Sequence, residues 1–215
     1  MYNFEFVSKK KRAPFKKDLI AILNEVQNIV RNDFTFRYDF VGSDKRNMVT
    51  CDYKSNQGFD FDINIEINDE DNQFSAKEIK SKLMTALNKV ASKYGYDSAE
   101  DSTRVITIKV KDTTNSKILH SCDFAIVNNY VDEDGNDKQQ YIYYNKKQKS
   151  YYWEEQSDGY YMLPEKVEWI EENELESKLM QIYLDKKNFN LDQKHSRSLY
   201  AEAVHEICQK YGYYY

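Results

Sequence analysis

Punctuation is scarce in this chain: 215 residues contain two prolines and six glycines. With so few residues that break regular structure, long uninterrupted elements are expected, and each glycine calls for a reason. Cysteine is scarce too. Cys51, Cys122 and Cys208 are odd in number, far apart and without a C-x-x-C pair, which excludes a disulfide framework or a zinc ribbon and leaves reduced thiols. No apolar run is long enough to span a bilayer, and the opening Met-Tyr-Asn-Phe-Glu-Phe-Val-Ser-Lys-Lys has no apolar stretch leading to a cleavage site. A soluble cytoplasmic protein with no membrane partner is expected. None of His120, His195 and His205 has metal-ligand spacing, so His120 reads as a core residue or one that backs the site residues, and His205 as a helix-surface one. A net charge of -5 argues against a protein wrapped in nucleic acid.

What is present in quantity is alternation. Phe59 to Ile67 reads Phe-Asp-Phe-Asp-Ile-Asn-Ile-Glu-Ile, a strand with Asp60 and Asp62 on one face and aromatic and aliphatic side chains on the other. A second alternating run, 34–41, precedes it and ends at Gly42-Ser43. Gly58, just before the acidic strand, reads as a turn, and a short strand is expected over 48–53. Residues 13–32 carry Leu19, Ile22, Leu23, Val26, Ile29 and Val30 on one helical face, with Pro14 suited to the first turn. Ser75 followed by Glu78 is a capping box for a helix ending near Gly95.

Strands follow at 105–110 and 118–127, then a tyrosine-rich pair around 141–144 and 151–155. Tyr151, Tyr152, Trp153 and Tyr160 could stack on bases, but no basic residues interleave with them, so sheet packing is the expectation. Between the strands, Asp132-Glu-Asp-Gly-Asn-Asp137 lacks calcium-loop spacing: Gly135 stands fourth and Tyr143 twelfth. A solvated turn is expected there. Two helices, 171–186 and 196–210, close the chain, the second with Tyr200, Ala203, Val204, Ile207 and Cys208 on one face.

The chemistry-bearing residues are acids. Asp60 and Asp62 sit two apart on a strand, and Asp123 lies in the apolar segment Ser-Cys-Asp-Phe-Ala-Ile-Val, sharing a side with Ser121 and Ala125. A carboxylate in such surroundings is costly unless a metal ion or a basic group partners it. Phosphoryl and nucleotidyl transfer require such converging carboxylates, because two divalent ions must clamp the attacking and leaving oxygens.

Strand, Gly-Ser turn, D-x-D strand and later lone Asp together resemble the polymerase-beta-type nucleotidyltransferase superfamily, over Phe40 to Asp123 and the helix before it. The resemblance implies an α/β fold, a mixed sheet flanked by helices with a short helical C-terminal extension, in a single domain over 1–215. Residues 1–130 would form the catalytic core, and 131–215 a hairpin plus the last helices. It implies that Asp60, Asp62 and Asp123 hold two magnesium ions, with manganese as the substitute, and that Asp123 helps deprotonate an acceptor hydroxyl. Gly42 and Ser43 would hold the phosphates of an NTP, aided by Lys45 and Arg46 and by a later cluster, Lys187, Lys194 and Ser196.

The implied activity is magnesium-dependent transfer of a nucleoside monophosphate from an NTP to a hydroxyl acceptor, with release of pyrophosphate. The alternative is a catalytically degenerate relative that binds nucleotide, RNA or a protein partner in a toxin–antitoxin or defence setting. Lys9, Lys10, Lys11 and Arg12 are the candidate RNA contact, weighed against a solvated helix start.

Overall fold

A computed structural model describes residues 2–52, 54–55, 58–69 and 73–213. These form nine strands, β1 (Phe4–Phe6), β2 (Thr35–Val41), β3 (Thr50–Asp52), β4 (Phe59–Asn68), β5 (Glu100–Asp101), β6 (Ile106–Asp112), β7 (Lys117–Val131), β8 (Asp137–Asn145) and β9 (Ser150–Glu155). Six α-helices accompany them: α1 (Lys9–Val30), α2 (Gly42–Lys45), α3 (Ala76–Val90), α4 (Asp158–Glu172), α5 (Glu176–Asn188) and α6 (Ser196–Tyr211). The chain parts into two compact units, one of residues 6–51 and 56–156, the other of 1–5, 52–55 and 157–215. The β8–β9 hairpin therefore belongs with the sheet, not with the last helices.

In the larger unit the sheet runs β2-β4-β7-β6-β5, with β8 added to β7 and β9 to β8. β4 and β7 are parallel, while the other neighbours are antiparallel. One face is dry. Phe59, Phe61, Ile63 and Ile65 of β4, with Cys122, Phe124 and Ile126 of β7, pack against Leu19, Ile22 and Leu23 of α1 and Ile79, Leu83 and Leu87 of α3. Each large side chain buried there contributes about 1.5–3 kcal/mol, so this face carries the stability of the unit.

Both helices on that face begin at caps. Ser8 accepts the Lys11 N–H at 3.3 Å, so α1 starts at Lys9, four residues before the expected start, and Pro14 lies inside the helix rather than in its first turn. The capping box is formed: the Ser75 hydroxyl accepts the Glu78 N–H, and the Glu78 carboxylate accepts the Ser75 N–H at 2.9 Å. Gly58 makes a close approach, because a Cβ there would fall 2.5 Å from the backbone of Leu119; residues 56–57, where its expected turn would lie, are outside the described residues. Of the short strand expected over 48–53, Thr50–Asp52 is formed, and Tyr53 lies outside the described residues.

The smaller unit holds three helices where the apolar spacing gave two. Residues 158–172 form α4, whose N-cap Ser157 makes no side-chain cap; Tyr160 stands where a capping box needs Glu or Gln, so no capping box marks its start in the sequence. The expected helix over 171–186 is interrupted by Asn173 and Glu174, the latter at φ +55, and α5 starts at Glu176. Tyr200, Ala203, Val204, Ile207 and Cys208 of α6 are buried as their spacing predicts, and the three cysteines are buried and form no disulfide. The Asp132 loop is a turn held by its own carboxylate, which accepts the N–H groups of Asp134 and Asn136. The tyrosines of the hairpin stack on one another, Tyr144 on Tyr151 at 4.4 Å and Tyr143 on Tyr152 at 5.2 Å. No helix among the described residues is long and apolar enough to cross a membrane.

Candidate active site

Strand register decides where the acids meet. In the parallel β4–β7 pair, Asp62 stands opposite Asp123 and Asp60 opposite Ser121. Since the alternate residues Phe61 and Ile63 fill the dry core, Asp60, Asp62 and Asp123 share the other face of the sheet. The antiparallel β2–β4 register places Val41 beside Asp62, and the chain turns at the next residue. There Gly42 adopts φ +62, and a Cβ on it would lie 2.9 Å from Cγ of Asp62 and closer still to Oδ2. Only glycine lets the turn close against the carboxylate. The Ser43 N–H donates to that same carboxylate, and the Arg46 guanidinium is near enough to favour its charge.

Despite these two favourable contacts the Asp62 carboxyl is pushed up to about 6, first by burial, then by the charges of Asp123 and Asp60. Asp123 is also raised, chiefly by burial and further by Asp60, against the pull of the Thr107 hydroxyl donating to Oδ1 at 2.6 Å. Ser121 donates a short hydrogen bond to Asp60. Lys109, opposite Ser121 on β6, pairs with Glu100 at 2.5 Å and lends some positive field to Asp123. On the opposite face of β7, His120 is buried with its acidity pushed to about 4, and burial raises the Cys122 thiol. Neither is placed for chemistry at the acids.

The structure thus brings together Asp60, Asp62, Asp123, Gly42, Ser43 and Arg46. Lys45 is exposed on α2. Lys187 and Ser196 meet each other at 2.8 Å in the helical unit, where Lys194 pairs with Glu202 at 2.6 Å. Arg12 is a correction. It is 3% exposed, its Nε bonds Asp44 at 3.2 Å and its Nη2 donates to Asn47 at 2.6 Å, so it is closed to RNA; Lys9, Lys10 and Lys11 are exposed on the first turn of α1. Sequence reasoning missed Thr107 and Lys109, although their alternation with the buried Ile106 and Ile108 puts both on the acid face. Among the described residues no three His, Cys, Asp or Glu side chains stand grouped as a ready metal cage. Asp60 is turned to Ser121, and Asp123 to Thr107.

Comparison with protein-family models gives no match, and none of the curated proteins matches. Solved structures do match. The Vibrio cholerae di-nucleotide cyclase DncV, in complex with GTP and 5MTHFGLU2, aligns with a TM-score of 0.63 at 11% identity, over 93% of this chain and 68% of that one. The STING-associated CdnE c-di-GMP synthase from Capnocytophaga granulosa aligns with a TM-score of 0.60 at 16% identity, over 96% of this chain and 63% of that one. DncV in complex with the linear intermediate pppA(3',5')pG gives 0.59 at 11% identity, over 93% and 68%. The chain therefore has the fold of the polymerase-beta-type nucleotidyltransferases. It spans about two thirds of the length of these cyclic-dinucleotide synthases.

Proposed function

We propose that this protein is a magnesium-dependent nucleotidyltransferase that moves a nucleoside monophosphate from an NTP to a hydroxyl acceptor and releases pyrophosphate. The observation that carries the reading is the closure of the Gly42–Ser43 turn on Asp62 while Asp62 stands in register with Asp123. Carboxylates from two strands and the N–H groups of a glycine turn meet at one place, which is what binding a metal-chelated triphosphate asks of a protein.

The donor set fits divalent cations. Asp62 and Asp123 are half-buried, mutually repelling and raised in pKa, so a cation between them would relieve the conflict that partial burial creates. Asp60, Asp62 and Asp123 would hold the ions, which when bound supply neutralisation of charge on the reacting phosphate and the leaving pyrophosphate. The residues themselves do the rest. The Ser43 N–H orients Asp62, Arg46 offers a positive charge near that carboxylate, and the Thr107 hydroxyl holds the carboxylate of Asp123. As the structural neighbours are a di-nucleotide cyclase and a c-di-GMP synthase, a second nucleotide is the acceptor to try first.

Incubation with each α-labelled NTP and magnesium, alone and in pairs, tests the reading. Wild type should transfer label and release pyrophosphate, and Asp62→Asn should not. Binding of NTP with no turnover under any pairing would instead favour the degenerate binding module, and transfer that survives Asp62→Asn would refute the site.

A further inference from the structure

Asp44 follows the Gly42–Ser43 turn directly, and unlike Asp62 it is buried with cations on both oxygens. Arg12 Nε lies 3.2 Å from Oδ1 and Lys16 Nζ 2.6 Å from Oδ2. Arg12 and Lys16 are four residues apart on α1 and so project from one side of that helix. The same guanidinium donates through Nη2 to Asn47 at 2.6 Å, and Asn47 sits at φ +58 at the far end of the short helix. The Asn47 N–H returns to the Asp44 carbonyl at 3.1 Å, and the Met48 N–H to the Ser43 carbonyl at 2.8 Å. Lys16 also lies 4.2 Å from the ring centre of Phe40, two residues before the glycine. The turn is therefore gripped before, within and after Gly42–Ser43 by two side chains of α1.

Exposed turns do not ordinarily need a buried ion pair. Burying Arg12 and Asp44 together costs desolvation that a pair of apolar residues would avoid, so the pair is better explained by what it fixes than by stability. What it fixes is the direction of the Ser43 N–H and of the glycine backbone, the two groups that meet Asp62. An error of about 1 Å in the groups that place a metal-binding carboxylate is enough to lose most of its benefit to a metal-chelated triphosphate.

We propose that Arg12 and Lys16, through Asp44 and Asn47, are positioning residues that hold the Gly42–Ser43 backbone in the pose that receives the triphosphate of the NTP. The inference rests on the nucleotidyltransferase reading above. It assigns the basic residues at 12 and 16 an internal task, and it makes α1 part of the phosphate site without any of its side chains touching the ligand.

The test uses the full chain and three variants, Asp44→Asn, Lys16→Met and Asn47→Gly. The last two alter a half-exposed and an exposed residue, and glycine keeps the positive φ at 47, so both should stay folded if Asp44→Asn does not. Calorimetry with ATP, GTP and inorganic tripolyphosphate, each with magnesium, and with guanosine as the phosphate-free probe, gives the readout. Asp44→Asn should weaken all three triphosphates about tenfold or more, and the other two variants several-fold, with guanosine binding unchanged in the folded fraction. A merely structural role would lower the melting temperature and leave the affinity of the folded protein alone. Folded variants that bind tripolyphosphate as wild type does would overturn this proposal and leave the function standing. A wild type that binds none of the triphosphates would overturn both.

Discussion

The two faces of β4 set opposite tasks side by side. On one, Phe59, Phe61, Ile63 and Ile65 are buried against α1 and α3; on the other, Asp60 is exposed and Asp62 is half-buried beside Asp123. The aromatic face gains free energy from every side chain it hides. The acidic face loses it, because desolvation and like charges oppose ionisation of Asp62. Ten residues of one strand therefore both hold the fold and carry a carboxylate that burial disfavours. A strand can do this because its side chains alternate, so the rigid packing on one face fixes the position of the other.

That contrast can be broken at either face. The largest effect is expected from Asp62→Asn on catalysis: pyrophosphate release should fall about 10³-fold or more, as for other groups that act only on developing charge. Phe61→Ala on the packed face should cost about 3–5 kcal/mol of stability in denaturant titration, through the cavity it leaves. Third is the stability cost of the acid itself. Because the Asp62 pKa is raised to about 6 on folding, the folded state keeps a proton that the unfolded chain releases, so stability should fall as pH rises from about 4 to about 6. Asp62→Asn should remove that dependence and stabilise the protein by about 2–3 kcal/mol at pH 7.5, with little change at pH 3.5. A variant less stable than wild type at neutral pH would show that Asp62 is not under strain. The smallest effect is at the edge of the acidic face: Arg37, whose side chain is 80% exposed, pairs with Glu66 at 3.0 Å, and Arg37→Ala should change stability by less than about 0.5 kcal/mol.

Asp60, Asp62, Gly42 and Asp123 were legible in the sequence because each signal was local: strict alternation, a strand ended by Gly-Ser, and an acid inside an apolar run. The packed faces of α1 and α3 were legible for the same reason, except that Ile29, expected on the packed face of α1, is 42% exposed. Thr107 and Lys109 were not singled out, since a threonine and a lysine alternating with isoleucines describe any half-buried strand. The task of Arg12 was hidden more deeply. Nothing near it in the chain distinguishes it from Lys9–Lys11, and its burial depends on Asp44, more than thirty residues away. The start of α4 failed because Ser157 makes no side-chain cap, and the Asn173–Glu174 break failed because neither residue is a glycine or a proline.

The parallel pairing of β4 with β7 has a consequence for how the protein comes into being. Asp60 and its partner Ser121 are 61 positions apart, and α3, β5 and β6 must all be made before the two strands can zip. Ribosomal synthesis thus delivers the first two acids long before the third, and contacts so distant along the chain form late in folding. On the proposed function, nucleotide and metal would arrive at a finished scaffold, so capture of a labelled NTP would serve as a clock for completion of the native sheet.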